Sequence, residues 1–289
     1  MTAADLRAML AADHLTHVPG VWDPASAALA VRAGHRAVHL SGPAIAATML
    51  GRPDLGYTPA TQIADRATTL IQALEGVPLL ADADIGYDSR NDAVWTALSY
   101  QRAGISGLVL ADGQDAGRSA DRIAALVAQV PGIVLVARVR GRGLADTIER
   151  CRAYAGAGAD AVLPEDISEA DDLGRLRAAL PAVPLAVNRS ETARGRGRLT
   201  GAELAGSGVR LVLHPLAAVL AALRAASLTY RTIADEGDAG DVDRMPPAAL
   251  ATVSERPAAR ATVSDRPAAR TTGSDRPAAV TPGIDKIDT

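Results

Sequence analysis

The chain has 289 residues, of which 48% are hydrophobic, so it can bury one large core and leave a remainder outside it. Its formal charge of −3 gives no support to a nucleic-acid partner, because nucleic-acid-binding domains usually carry a strong basic excess on one face. No apolar stretch is long enough for a membrane span, and the N-terminus lacks a basic segment followed by an apolar one, so we expect a cytoplasmic protein with a small ligand.

Short apolar runs, each closed by a polar or charged residue and followed by a helical pattern, repeat eight times along the chain. Runs of this kind are typical of parallel strands that are buried on both faces. We predict strands at residues 17–19, 38–41, 79–84, 108–112, 134–138, 161–165, 184–188 and 211–214. We predict helices at residues 5–12, 24–33, 61–75, 91–103, 120–129, 144–155, 169–179 and 216–234. This alternation predicts a (β/α)8 TIM barrel over residues 1–237.

The character of the sequence changes after the last predicted helix. Residues 251–260, 261–270 and 271–280 are three successive copies of a ten-residue unit built around Ser-Asp/Glu-Arg-Pro-Ala-Ala. A unit with proline, charges of both signs and no large apolar residue cannot bury a core. We therefore predict a disordered tail over residues 238–289, with a partner-binding motif as the alternative.

Side chains at the C-terminal ends of the strands line the active site of a (β/α)8 barrel. The residues that close the predicted strands are therefore the first candidates for chemistry. They are Ser41, Asp82, Asp84, Asp112, Arg138, Glu165, Asn188 and His214.

Asp82 and Asp84 lie two positions apart at the end of the third predicted strand, on the same side of the chain. Adjacent carboxylates repel each other unless a cation or a proton lies between them, and hard oxygen ligands favour Mg2+ or Mn2+. Asp54, in the loop at residues 51–56, could reach the same ion directly or through water. The pattern favours a metal site, with a solvated loop, and for Asp54 a turn beside proline, as the alternatives.

Arginines follow two of the predicted strands. They are Arg138, Arg140 and Arg142 after the fifth strand, and Arg189, Arg194, Arg196 and Arg198 after the seventh. Guanidinium groups bind carboxylates and phosphates in a two-pronged geometry, so a metal beside arginines suggests a small anionic substrate. Most of these arginines fit equally well as solvated loop charges, but Arg138 closes its strand.

Two scarce residue types exclude other chemistry. The only lysine, Lys286, lies near the end of the sequence, so the barrel offers no amine for a Schiff base. The only cysteine, Cys151, falls inside a predicted helix, where we expect a buried or inert side chain. Disulfides and cysteine metal clusters are excluded as well.

Seven segments of residues 5 to about 235 resemble, in order and spacing, the isocitrate lyase/phosphoenolpyruvate mutase superfamily. They are VPGVWDPASA at 18–27, SG at 41–42, LGRPDLGY at 50–57, DADIGY at 82–87, AR at 137–138, PE at 164–165 and Asn188. The resemblance implies a Mg2+-dependent homo-oligomeric enzyme, with Mn2+ as a substitute. Such an enzyme makes or breaks C–C or P–C bonds in small 2-oxo or phosphono carboxylates through a metal-stabilised enolate.

The same resemblance implies roles for individual residues. The implied metal site has Asp82 as the ligand, supported through water by Asp54 and Asp84. The implied substrate contacts are Trp22, Ser41, the Gly42 amide, Arg138 and Asn188. The implied catalytic residues are Asp54, Arg138, Glu165 and Asn188.

The chain departs from the family pattern after the fourth strand. Family members usually have Glu-Asp-Gln there, followed by a long mobile loop that in the lyases carries Lys-Lys/Arg-Cys-Gly-His. Residues 111–118 contain no lysine, cysteine or histidine and lead almost directly into the next helix. Ala111 replaces the glutamate of the metal shell, for which Asp112 or Asp115 could substitute.

These matches and departures leave two hypotheses. The first is a lyase or mutase of this superfamily, favoured by the retained acidic residues, Arg138, Glu165 and Asn188. The second is a catalytically weakened paralogue that binds a carboxylate ligand or a partner without turnover, favoured by the shortened loop. The C-terminal helices also resemble a shortened form of those that family members often exchange between subunits.

Overall fold

A computed structural model describes residues 3–54, 58–84, 86, 89–165, 167, 169–189, 199–240 and 242–254. In these ranges eight parallel strands form one sheet in the order β1-β8-β7-β6-β5-β4-β3-β2. The strands are β1 Thr16–Pro19, β2 Val38–Leu40, β3 Leu79–Asp82, β4 Gly107–Ala111, β5 Val134–Val139, β6 Ala161–Pro164, β7 Leu185–Asn188 and β8 Val209–His214.

The sheet closes into a barrel between β1 and β2, the two ends of this strand order. Gly20 forms a parallel bridge with His39, and the amide of Val21 donates to the His39 carbonyl at 2.8 Å. A sheet closed in this way has no free edge, and parallel strands connected by helices form a (β/α)8 barrel. The predicted barrel is confirmed, with every strand within two residues of its expected bounds or closer.

Helices alternate with the strands on the outside of the barrel. They are α1 Ala3–Ala11, α2 Pro24–Arg32, α3 Gly42–Ile45, α4 Ala60–Leu70, α5 Arg90–Arg102, α6 Ala116–Gln129, α7 Leu144–Gly156, α8 Ala170–Ala179, α9 Gly201–Gly206, α10 Ala217–Glu236 and α11 Pro247–Ser254. A π-helical turn, Ala46–Leu50, continues α3.

Capping explains where the helices differ from the prediction. The Ser41 hydroxyl accepts from the Ala44 amide, so β2 ends one residue earlier than expected and α3 begins. The Asp115 carboxylate accepts from the Arg118 amide, so α6 begins four residues before its predicted start at 120. Short helices such as α3 and α9 lack enough turns for a periodic signal, and for that reason the prediction missed them.

Buried side chains form two layers on either side of the sheet. The barrel interior contains Val18, Leu80, Val109, Val134, Val136, Leu163, Leu211 and Leu213, and Leu6, Met9 and Leu10 of α1 cover its N-terminal end. The outer layer, between sheet and helices, includes Val38, Leu40, Leu79, Leu108, Leu110, Leu135, Val162 and Val212. Because side chains alternate along a strand, these layers show which strand-end residues face the barrel mouth.

The last described segment lies beyond the predicted end of the barrel at residue 237. Helix α11 falls within the predicted tail, and its Val253 is buried. The three repeat units lie almost entirely outside the described residues, so the domain boundary stays a prediction. Among the helices that the structure describes, none combines the length and the apolar character needed to cross a membrane.

Candidate active site

The inward-facing rows of the strands end in polar residues at the C-terminal mouth of the barrel. Leu80 of β3 faces the interior, so Asp82 continues the same row. Val136 of β5 likewise leads to Arg138, Leu163 of β6 leads to Glu165, and Ala186 of β7 leads to Asn188. The structure therefore brings four of the predicted site residues to one mouth.

Asp82 is the most constrained side chain of this mouth. It is buried, with His39 Nε2 3.1 Å from Oδ1 and the Gly42 amide donating to Oδ2 at 2.8 Å. Burial alone would raise the pKa of Asp82, but His39, Arg138 and the Gly42 amide outweigh it and lower that pKa to about 2. Asp82 is therefore a fixed anion throughout the neutral pH range.

Asp54 and Asp84 lie beside Asp82. A Cβ atom placed on Gly42 would stand 3.2 Å from Asp54 Oδ2 and 3.6 Å from Asp82 Oδ2, so two carboxylates converge on this glycine. Burial, followed by the charges of Asp82 and Asp54, raises the pKa of Asp84. Asp84 also has a backbone φ of +42°, which an L-residue adopts only at a cost in free energy.

This group of carboxylates fits a hydrated divalent cation. Mg2+ in proteins is usually held by one or two carboxylates and keeps several of its waters. Within the described ranges, no cluster of three or more His, Cys, Asp or Glu side chains has the spacing to ligate an ion directly. One direct ligand, Asp82, with Asp54 and Asp84 acting through water, agrees with both observations, and each Asp82 oxygen keeps a free lone pair.

Arg138 and Glu165, at the ends of β5 and β6, form the basic part of the mouth. The Arg138 Nε atom lies 3.6 Å from Glu165 Oε1, and Arg140 donates to Glu165 Oε2 from Nη2 at 2.7 Å and from Nε at 3.1 Å. The Arg138 side chain is 26% exposed, whereas that of Arg140 is 74% exposed. Arg138 is therefore held by Glu165 and still accessible to an anion at the mouth.

The predicted substrate-binding residues differ in their exposure and in whether their polar groups already make hydrogen bonds within the protein. Ser41 is fully buried, and its hydroxyl caps α3 and lies 3.4 Å from the Pro215 carbonyl. The Gly42 amide donates to Asp82 rather than pointing at open space. Trp22 is half-buried and Asn188 is exposed at the mouth. A carboxylate that binds Ser41 and Gly42 must therefore replace hydrogen bonds that the protein already makes.

Asp112, nominated as a strand-end residue and as a substitute for the missing glutamate, lies outside the mouth. Its β4 neighbour Ala111 occupies the inward position, and Asp112 turns outward between the sheet and α7. Arg150 Nη1 donates to Asp112 Oδ2 at 3.0 Å, and the Tyr154 hydroxyl donates to the same oxygen at 3.2 Å. Asp115, the other proposed substitute, is the exposed cap of α6.

Arg150 holds the shortened connection between β4 and α6. It also donates to the carbonyls of Gly113 and Gln114 and to the carboxylate of Asp146. Burial alone would lower the pKa of Arg150, but hydrogen bonds to Asp146, Tyr154 and Asp112 outweigh it and raise that pKa. The loop after β4 is therefore fixed by a buried ion pair.

Of the other residues singled out from the sequence, those that the structure describes have no contact with Asp82, Arg138 or Glu165 among the contacts found there. His214 faces outward, with its Nε2 3.1 Å from His17 Nδ1. Arg142 is exposed, and Arg189 donates to the Leu199 carbonyl. Cys151 is buried as expected, and burial, followed by the charge of Asp112, raises the pKa of its thiol to about 12. Arg194, Arg196 and Arg198 lie outside the described residues.

Sequence reasoning missed His39, which contacts the central carboxylate of the site. It lies inside an apolar run and does not close the strand, so the strand-end criterion passes over it. A signal was present, because His39 and Ser41 share one face of the strand and Ser41 was already a candidate.

The closed parallel barrel, the acidic group and the arginine at its C-terminal mouth define a (β/α)8 enzyme that suits a small anionic ligand. The family model of phosphoenolpyruvate phosphomutase matches residues 6–234, and the chain belongs to this family. The predicted superfamily membership is confirmed. Since members of the superfamily are lyases or mutases, the prediction of an enzyme of this kind is confirmed as well.

Similar proteins extend over most of the chain. The 2-methylisocitrate lyase of Halalkalibacterium halodurans is 31% identical over 248 residues, which cover 80% of this chain and 81% of that protein. The crystal structure of 2,3-dimethylmalate lyase has a TM-score of 0.81 at 28% identity and covers 88% of this chain and 94% of its own. Phosphonopyruvate hydrolase in complex with oxalate and Mg2+ has a TM-score of 0.79 at 25% identity, with 88% and 95% covered.

Proposed function

We propose that the protein is a Mg2+-dependent lyase or mutase, with Mn2+ as a substitute, that makes or breaks a C–C or P–C bond in a small 2-oxo or phosphono carboxylate. The observation that carries this proposal is the fixed Asp82 carboxylate, beside two further carboxylates and close enough to Arg138 for that charge to lower its pKa. A similar protein of known structure, phosphonopyruvate hydrolase, holds Mg2+ and oxalate.

The site residues would have two kinds of role, which are to stabilise charge and to orient the bound groups. Bound Mg2+ would polarise the oxo group of the substrate and stabilise the negative charge that develops on it. Asp82 would hold the ion, and Asp54 and Asp84 would orient its waters. Arg138, kept in place by Glu165, would bind the acid group of the substrate, and Asn188 would contact it at the rim.

A second candidate function is ligand binding without turnover. It is favoured by the end of β4, where Ala111 supplies no carboxylate to the mouth and Arg150 fixes the short loop that follows. A loop fixed in this way cannot close over the site and exclude water, and water exclusion protects reactive intermediates.

Turnover separates these two functions. Purified protein is incubated with oxaloacetate, phosphonopyruvate, 2-methylisocitrate or 2,3-dimethylmalate, with Mg2+ or with EDTA, and pyruvate, phosphoenolpyruvate, oxalate and phosphate are measured. We expect product from at least one substrate, lost in EDTA and in Asp82→Asn. Absence of product from all four, at enzyme concentrations that would reveal about 10^-3 per second, would instead support binding without turnover.

We also propose that the protein is a homo-oligomer, on the evidence of helix α10. Among its residues only Val219 is buried, and its apolar side chains recur at helical spacing on the surface. The exposed set is Leu220, Leu223, Leu228, Tyr230 and Ile233. Clustered exposed apolar side chains are typical of surfaces that contact another protein. Light scattering after size-exclusion chromatography should give an oligomer for the wild type and a smaller species for Leu223→Glu; a monomeric wild type would exclude the proposal.

A further inference from the structure

His39 is a polar side chain buried at the base of the barrel mouth. Its neighbours in β2, Val38 and Leu40, face the outer layer, so the His39 side chain points to the inside of the barrel. It is only 3% exposed, and its Nε2 lies 3.1 Å from Asp82 Oδ1. Burial removes the hydrogen bonds that a histidine makes with water, and here a single contact with a carboxylate replaces them. A polar side chain buried in this way requires an explanation.

The contact indicates which ring nitrogen carries the proton. Among the described residues, His39 Nδ1 has no hydrogen-bond partner, although it is buried. A proton on Nδ1 would be a buried donor without an acceptor, and Nε2 would then present a lone pair to an anionic oxygen. Both consequences are unfavourable, so His39 donates from Nε2 to Asp82 Oδ1.

His39 and Gly42 together hold both oxygens of the Asp82 carboxylate. The Gly42 amide donates to Oδ2 at 2.8 Å, and both donors come from the segment that contains β2 and the start of α3. Two donors from one rigid segment prevent the carboxylate from rotating about its Cβ–Cγ bond. One lone pair on each oxygen stays available for another partner.

We propose that His39 is a positioning residue that orients the Asp82 carboxylate for a divalent cation. The proposal rests on the proposed function, since it takes Asp82 as the residue that holds the ion. Donors behind a metal-binding carboxylate fix its direction, and their loss typically weakens metal binding by about 10- to 100-fold. His39 does not itself contact the substrate in this arrangement.

Tyr100 provides a matched control on the same aspartate. Its hydroxyl is buried and donates to the backbone carbonyl of Asp82 at 2.8 Å, so it supports the strand rather than the carboxylate. Tyr100→Phe removes a buried hydrogen bond near the site but leaves both carboxylate donors in place. It therefore separates a general loss of structure from a loss of carboxylate orientation.

The test measures Mn2+ affinity without substrate, from the electron paramagnetic resonance signal of free Mn2+, in the full chain. The His39 variants are His39→Gln, whose side-chain amide can donate at the position of Nε2, and His39→Met, which has similar length and no donor. We expect about 10- to 100-fold weaker binding in His39→Met, recovery of most of the affinity in His39→Gln, and wild-type affinity in Tyr100→Phe. His39→Asn, whose amide is too short to reach Oδ1, replaces His39→Met if the latter does not fold.

Three outcomes overturn the proposal, and a fourth overturns the proposed function on which it rests. Wild-type affinity in His39→Met, or equal weakening in His39→Met and His39→Gln, shows that the donor at Nε2 does not orient Asp82. Equal weakening in Tyr100→Phe shows a general structural effect. If Asp82→Asn binds Mn2+ as tightly as the wild type, the proposed function fails before His39 is tested.

Discussion

Two neighbouring strands, β3 and β4, both lead to an aspartate, and the two carboxylates have opposite environments. Asp82 faces the mouth of the barrel and accepts from His39 and the Gly42 amide. Asp112 faces the helices and accepts from Arg150 and Tyr154. One carboxylate faces the barrel mouth, where we propose that it holds a metal ion, and the other fixes a loop.

The difference comes from the alternation of side chains along each strand. Asp82 follows the inward row of Leu80, whereas the inward row of Val109 continues to Ala111 and leaves Asp112 on the outer side. An aspartate at the end of a barrel strand is therefore a site candidate when its side chain points inward, and a structural group when it points outward.

The largest expected effect is on stability and concerns Arg150. Arg150→Met removes the charged partner of the Asp112 carboxylate, whose side chain is only 5% exposed, and leaves only the neutral donors Tyr154 and the Arg140 amide. An uncompensated buried charge costs about 3–5 kcal/mol, so the free energy of unfolding should fall by that amount in urea titrations. The double variant Arg150→Met with Asp112→Asn should recover part of the loss. No loss in Arg150→Met would show that the ion pair is not structural.

A smaller effect is expected at the arginine of the mouth. Arg138→Ala removes the charged group that we propose binds the substrate. Hydrogen bonds to charged groups contribute about 1.5–3 kcal/mol, so KM should rise by about 10- to 100-fold. Arg140→Ala is the control, because this side chain is 74% exposed and exposed ion pairs contribute about 0–1 kcal/mol. Steady-state kinetics with the best substrate of the panel measure both. Equal effects of the two substitutions would contradict the assignment of Arg138.

The smallest effect is expected at Cys151, whose thiol is influenced by the Asp112 charge and should be unreactive in the native protein. Because burial and the Asp112 charge raise its pKa to about 12, the neutral thiol is the form present at every pH well below 12. The native protein should not react with a thiol reagent at pH 8, and one thiol should react after unfolding in guanidinium. Rapid reaction of the native protein would show that Cys151 is accessible.

The sequence was sufficient to predict the barrel fold because eight apolar runs alternate with helical patterns. This alternation is visible even where the exact bounds of single strands and helices are not. The sequence was also sufficient to place Asp82, Arg138, Glu165 and Asn188 at the mouth of the barrel, because all four lie at strand ends, and their roles stay a prediction. It could not separate Asp112 from Asp82, since apolar strands buried on both faces do not show which side chains point inward. His39 and Arg150 were missed because each gains its role from a partner that is distant in sequence.

The most direct test of this division is a matched pair of substitutions, Asp82→Asn and Asp112→Asn, measured for both kcat/KM and the free energy of unfolding. We expect Asp82→Asn to lower kcat/KM by about 10^2- to 10^3-fold, as the loss of a group that stabilises developing charge does, with a smaller change in stability. Asp112→Asn should lower stability and leave kcat/KM of the folded enzyme near wild type. Equal losses of activity in the two variants, or full activity in Asp82→Asn, would contradict the account.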